Sequence, residues 1–284
     1  MIRYIEAKQI LTGIPHPENW FGVGYNMNLY RGCQHGCIYC DSRSACYGVD
    51  RFDEDIEVKE NAVELLTKEL AGKRERRLIG TGAMCDPYGP VEKDIGLTRR
   101  AVACIVERGF PLHIMTKSDV VTRDIELLRK TMGSPNAVTF TVTTPDEGLA
   151  VRLEPRAPSP ARRFAAMAAL SGAGVLTGVA VMPVLPYIED DEKALLAILR
   201  KTREAGGAYA VVWLGLSLRD RQRAHFYREL DRHFPGLRKR YEETYGEQYR
   251  IDVPERERLY RVLETACADM DLAWGMGGAV ARIH

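Results

Sequence analysis

No stretch of this 284-residue chain stays apolar long enough to cross a bilayer. Its opening residues, Met1-Ile2-Arg3-Tyr4-Ile5-Glu6, carry no signal-peptide pattern. Net charge is nearly absent as well: 40 Lys and Arg stand against 39 Asp and Glu. A global attraction to nucleic acid is therefore excluded, and any such binding needs a local patch. Repeat periods and low-complexity segments are missing, which excludes solenoids and arrays. Cysteines number seven, an odd count in a chain too long to need disulfide staples. These absences predict a protein of the reducing cytoplasm with no membrane segment, and a hydrophobic content of 45% is ample for a large core.

What the chain does have is concentrated between Tyr30 and Cys40. Cys33, Cys37 and Cys40 stand at C-x3-C-x2-C spacing in a loop punctuated by Gly32 and Gly36. The glycines allow the tight backbone that brings three sulfurs together. A cubane iron–sulfur cluster normally takes four thiolates, so three would leave one iron with an open position. A structural zinc site closed by His35 or Cys46 is the alternative. Zinc sites usually draw ligand pairs from two separated clusters, and no second pair is present.

Gly24 to Arg31 reads as a first strand that delivers the cysteines at its C-terminal end. Residues 1–23 read as an N-terminal extension across the barrel end. Five further strands follow at Leu78–Gly82, Leu112–Thr116, Ala137–Thr143, Val175–Met182 and Tyr209–Leu214. Helical patterns lie between them: Asn61–Leu70, Thr98–Arg108 closed by Gly109, Thr122–Met132 stopped by Gly133, one starting near Ser159-Pro160, and Asp191–Ala205. The fold class is thus α/β, a partial parallel (β/α)6 barrel over residues 24–218, although periodicity alone does not separate it from a doubly wound sheet. Residues 219–284 read as a C-terminal helical subdomain, with a flexible Trp274-Gly275-Met276-Gly277-Gly278 that closes over the barrel.

The cysteine spacing, with an aromatic residue before the last cysteine, resembles the radical S-adenosylmethionine (SAM) superfamily. Cys40-Asp41-Ser42-Arg43-Ser44, Asp86-Pro87-Tyr88, Leu97-Thr98-Arg99 and Thr116-Lys117-Ser118-Asp119 are similar to the spore photoproduct lyase-like branch. So are Leu216-Ser217-Leu218-Arg219 and Phe234-Pro235-Gly236-Leu237. This resemblance implies a 4Fe-4S cluster on Cys33, Cys37 and Cys40, with SAM at the open iron. It further implies reductive cleavage to a 5′-deoxyadenosyl radical and an electron donor such as flavodoxin or ferredoxin. The backbone at Tyr39 then contacts adenine, and Gly80, Thr81 and Gly82 meet the SAM amino group. Lys117 pairs with the SAM carboxylate, while Thr141 and Thr143 offer hydroxyls to the ribose. Glu154 is a cofactor or helix-start contact, and Gly178 leaves room for adenine. Each also has a plainer role: solvated lysine, strand threonine, strand glycine at a bulge.

Cys85 is the further candidate, as a hydrogen-atom donor or as a small core residue. The lyase's donor cysteine stands three residues before the aspartate, where this chain has Ala83; Cys85 stands one before. Lesion reversal on a nucleic acid is the implied reaction. Modification of a peptide or small metabolite is the second reading, and a non-enzymatic metal-dependent module the third. Arg219, Arg221, Arg223, Arg238, Lys239 and Arg240, near Tyr227, Tyr241, Tyr245 and Tyr249, form either a phosphate-tracking face or a solvated one.

Overall fold

Apolar runs of four to six residues alternating with amphipathic segments dictate a strand–helix repeat. The computed structural model, which describes residues 1–130 and 135–284, has one. In chain order the strands are β1 (Ile2–Ile5), β2 (Leu11–Gly13), β3 (Tyr25–Met27), β4 (Tyr30–Arg31), β5 (Ile56–Lys59), β6 (Ile79–Thr81) and β7 (Leu112–Thr116). Then come β8 (Ala137–Thr141), β9 (Leu176–Val181), β10 (Tyr209–Val212), β11 (Gly215–Ser217), β12 (Arg250–Asp252) and β13 (Ala273–Trp274). The helices are α1 (Ala62–Ala71), α2 (Glu92–Ile95), α3 (Leu97–Glu107), α4 (Ile125–Leu128), α5 (Glu147–Leu153) and α6 (Pro160–Gly172). They continue with α7 (Glu192–Glu204), α8 (Asp220–His233), α9 (Leu237–Tyr245), α10 (Arg256–Asp269) and α11 (Gly275–Ile283).

Strand order decides between the two α/β architectures. The main sheet reads β13-β10-β9-β8-β7-β6-β3-β2. Its central members β3, β6, β7, β8, β9 and β10 are parallel, each beside its predecessor. A doubly wound sheet reverses its order partway along; this one never does. The result is the expected partial (β/α)6 barrel, bounded by antiparallel β2 and by β13.

The strand interior has a polar layer near its N-terminal end. His113 Nε2 lies 2.7 Å from Thr139 Oγ1, which lies 2.6 Å from the Tyr209 hydroxyl. Burial drives the His113 pKa down to about 3, so the ring is neutral. Phe21 stacks on it at 4.3 Å between ring centroids. Gly178, on β9, faces the Tyr209 ring, and a Cβ there would overlap it. The glycine expected to admit adenine is accounted for by this packing.

Several local expectations change. The single strand at Gly24–Arg31 is two, in different sheets. Lys59 draws the chain aside at Asn28 and Leu29, its Nζ donating to the Asn28 carbonyl (2.7 Å) and its N–H to that of Leu29 (3.2 Å). Residues 1–23 supply β1, paired with β5, and β2, on the barrel sheet. The helix at Thr122–Met132 is a 3-10 turn over Asp119–Asp124 followed by the short α4. The tight turn buries Asp124 against Tyr88, Arg99 and Arg123. Met132 and Gly133 lie outside the described residues. Trp274 to Gly278 is not a flexible closure: it forms β13 and opens α11, which packs on β10. Residues 219–284 carry four helices, but their strands β12 and β13 join β11 and the main sheet.

Gly178→Ala should therefore lower stability by ~1–3 kcal/mol through overpacking against Tyr209. Chemical denaturation reads this, and an unchanged midpoint would return Gly178 to a cofactor role.

Candidate active site

The loop after β4 is shaped by its two glycines, at φ +83° for Gly32 and +71° for Gly36. A side chain at Gly32 would run into the carbonyls of Phe52 and Asp55, and one at Gly36 into the Arg156 guanidinium. Backbone bonds then fix the loop: Cys33 N–H to Phe52 O (2.8 Å), Ile38 N–H to Leu153 O (2.9 Å) and Arg156 N–H to His35 O (3.1 Å). Cys33, Cys37 and Cys40 are free thiols lining one cavity. Burial pushes Cys37 up to about 12, against the lowering effect of the Lys117 ammonium. Cys33 and Cys40 are raised too, again by burial first, and Cys33 also feels Asp86 and both other thiolates. Three thiolates here need a cationic centre among them, which is what an iron–sulfur core supplies.

A zinc site would need a fourth ligand beside the three thiols. Among the described residues, no group of three or more Cys, His, Asp or Glu is placed to share a single ion. A cubane, by contrast, spreads its thiolates over separate irons. His35 is committed elsewhere, with Nε2 3.0 Å from Asp86 Oδ2 and Nδ1 3.5 Å from the Arg156 carbonyl. Cys46 is exposed, its sulfur accepting from Ser44 at 3.3 Å.

Asp86 joins this loop to the strand ends. Its carboxylate accepts from Thr116 Oγ1 (2.6 Å), Lys117 N–H (2.7 Å) and Tyr88 N–H (2.9 Å) while facing His35. Burial opposes its charge, but His35 and these donors hold the carboxyl down at about 2. Gly82, at φ +101°, passes so close to the Met115 carbonyl that no side chain fits. That crossing turns residues 82–86 toward the cavity, and both Ala83 and Cys85 line it. The Cys85 S–H donates to the Tyr30 carbonyl at 3.0 Å, and burial, with Asp86, pushes its pKa up to about 12.

Opposite stands a buried charge network. Glu154 accepts from the Tyr39 hydroxyl, pairs with Arg163, and lies 3.8 Å from Lys117 Nζ. Burial disfavours its charge, yet Arg163 and Lys117 hold the carboxyl below the usual range. Lys117 sits 5.7 Å over the Tyr39 ring. Burial lowers its pKa, but Cys37 and Glu154 outweigh that and raise it.

The cavity is thus lined by the three cysteines, Tyr39, Gly82, Cys85, Lys117 and Thr141. The other predicted positions stand back from it. Gly80 leaves space for the Val23 side chain, Thr81 is buried in β6, and Thr143 is buried beside Glu189. Glu154 ends α5, not strand β8, and reaches the site through Lys117 and Tyr39. Sequence reasoning missed Arg163, a buried arginine inside α6, and Glu189, which burial pushes up to about 8. Neither lies in a motif.

The C-terminal arginines are engaged internally. Arg219 binds Asp41 (2.6 Å), Arg221 binds Asp50 (2.6 Å) and the Arg43 carbonyl (2.8 Å), and Arg223 binds the Gln248 carbonyl (2.8 Å). Tyr227, Tyr241 and Tyr245 are core residues of this unit, whereas Tyr249 is exposed. Arg219 also lies 5.4 Å from the ring of Tyr47, which lines the cavity, and 5.7 Å from that of Tyr249.

Comparison with known proteins gives the family and the fold. An uncharacterized protein of Mycobacterium tuberculosis is 33% identical over 242 residues, covering 83% of this chain and 71% of the relative. One from Methanocaldococcus jannaschii is 34% identical over 191 residues, covering 66% of this chain and 69% of the relative. Spore photoproduct lyase complexed with dinucleoside spore photoproduct shares the fold at a TM-score of 0.71, with 14% identity, over 97% of this chain and 81% of that one. Residues 27–199 match the radical SAM superfamily, and the chain belongs to that family.

Proposed function

We propose that this protein holds a 4Fe-4S cluster on Cys33, Cys37 and Cys40 and acts as a radical SAM enzyme on a nucleic acid or a related nucleotide substrate. The observation that carries the reading is the meeting of three free thiols, Lys117 and Cys85 on one cavity at the carboxyl ends of parallel strands. A cluster held by Cys33, Cys37 and Cys40 would supply the one-electron reduction needed for reductive cleavage of SAM. A flavodoxin- or ferredoxin-type donor supplies that electron.

The chain's own groups have distinct tasks in this scheme. Lys117 presents a fixed positive charge to the SAM carboxylate, and Glu154 with Tyr39 keeps the ammonium in place. The flanking thiol of Cys85 stays protonated at neutral pH and offers its S–H hydrogen to a substrate carbon radical. Its displacement from the lyase's donor position does not move it off the cavity wall, because Ala83 and Cys85 share that wall. The nucleic-acid class is favoured by the fold shared with a lyase solved with a dinucleoside photoproduct, and by Arg219 over the ring of Tyr47, which lines the cavity.

Anaerobic turnover with reductant, following 5′-deoxyadenosine, tests the reading. Cys37→Ala should abolish 5′-deoxyadenosine formation while the barrel still folds by circular dichroism. Wild-type levels from that variant would sink the assignment. Lys117→Ala should keep its iron and sulfide but bind SAM roughly tenfold more weakly, the scale of one charge-assisted contact. An unchanged dissociation constant in anaerobic titration would leave Lys117 as a structural partner of Glu154. For Cys85→Ala, SAM cleavage should persist while product per 5′-deoxyadenosine falls. A ratio equal to wild type would remove this thiol from the reaction.

A further inference from the structure

We infer that Asp53 is a positioning residue for the cluster loop, because its single carboxylate holds the two guanidiniums that hold the loop from either side. Arg43 Nη1 lies 3.0 Å from Asp53 Oδ1, and Arg156 Nη2 lies 2.6 Å from Asp53 Oδ2. Arg43 donates from Nε to the Cys37 carbonyl (3.3 Å), while Arg156 donates from Nε to the Gln34 carbonyl (2.6 Å). Arg156 also occupies the space beside Gly36, where a Cβ would come within 2.7 Å of its Nη2. The same turn bonds the loop a third time, since the Phe52 carbonyl accepts from Cys33 N–H at 2.8 Å. Residues 52 and 53 therefore reference the loop at Cys33, Gln34 and Cys37.

The two arginines are not alike. Arg43 is buried, and without Asp53 one of its guanidinium nitrogens loses a charged partner inside the protein. Arg156 is 48% exposed, so without Asp53 it gains rotamer freedom and leaves the Gln34 carbonyl. Burial resists the Asp53 charge, but Arg43 and Arg156 hold its carboxyl down at about 2, so it is ionised at neutral pH. The electrostatic sum matters as much as the bonds. Two cations and one anion stand beside a loop whose bound cluster gains negative charge on reduction, and cluster potential follows net local charge. This inference rests on the cluster reading above.

The test uses anaerobically purified, iron-loaded protein and reads iron loss to a chelator together with the cluster midpoint potential by EPR-monitored titration. Asp53→Asn should lose iron roughly tenfold faster, the scale of one charge-assisted hydrogen bond. Its potential should move positive, since two guanidiniums are left uncompensated. Asp53→Glu should restore both values toward wild type. Arg156→Gln should also lose iron faster but shift the potential negative, having removed a cation. That variant, with its half-exposed side chain, carries the test alone if Asp53→Asn does not fold. A purely structural role would not set opposite signs for the two variants. Unchanged iron loss, or potentials that stay put or move together, overturns the inference. Wild-type protein free of iron and sulfide would instead sink the cluster reading, and this inference with it.

Discussion

The site depends on one carboxylate. Asp86 takes two hydrogen bonds from the end of β7 and one from Tyr88 in its own loop, and faces the histidine of the cysteine loop. Each contact alone is ordinary, worth about 0.5–3 kcal/mol. Together they lock the β6 loop, the end of β7 and the cysteine loop into one unit, so the thiols, Cys85 and Lys117 have no independent freedom. Buried and ionised, Asp86 also sets the charge pattern of the cavity. It raises Cys33 and Cys85 and faces the only imidazole in the loop. A neutral residue there would leave a cluster of donors without an acceptor.

Much of this was legible in the chain. Strand and helix segments follow from apolar periodicity, and their order requires no long-range information beyond the alternation itself. The thiols announce themselves by spacing, and Lys117 and Cys85 by their positions just past strand ends. What stayed hidden is what depends on partners far away in sequence. Gly178 looks like a pocket glycine until Tyr209, 31 residues later, is seen filling its side. Arg163 reads as any helix arginine, although its partner Glu154 makes it one of the most buried side chains in the protein. Asp53 belongs to no motif in the sequence, and only the fold brings Arg156 to it across 103 residues. Charges are the least readable residues because an ion pair leaves no periodic trace.

The C-terminal arginines make the same point in reverse. Their density suggests a surface, yet Arg219, Arg221 and Arg223 serve as struts between α8, the segment after Cys40 and the β12 turn. The C-terminal helices are thereby bound to the cysteine loop. Gln222 even donates to the Tyr39 carbonyl at 3.2 Å. The cysteine loop and the C-terminal unit are thus held together by side chains that also border the cavity, Asp41 and Tyr47 among them.

The layer beneath the strands has a consequence for how the molecule assembles. Phe21, stacked on His113, packs in the same cluster as Ala279 and Ile283, and its N–H donates to the Met276 sulfur at 3.0 Å, across 255 positions. The bottom of the barrel is therefore closed by the two ends of the described chain, while its mouth is built from the middle. Contacts of such separation carry the largest loop-closure cost. The floor thus hangs on pairings between segments far apart in the described chain, in a cluster that shares no residue with the cysteine loop.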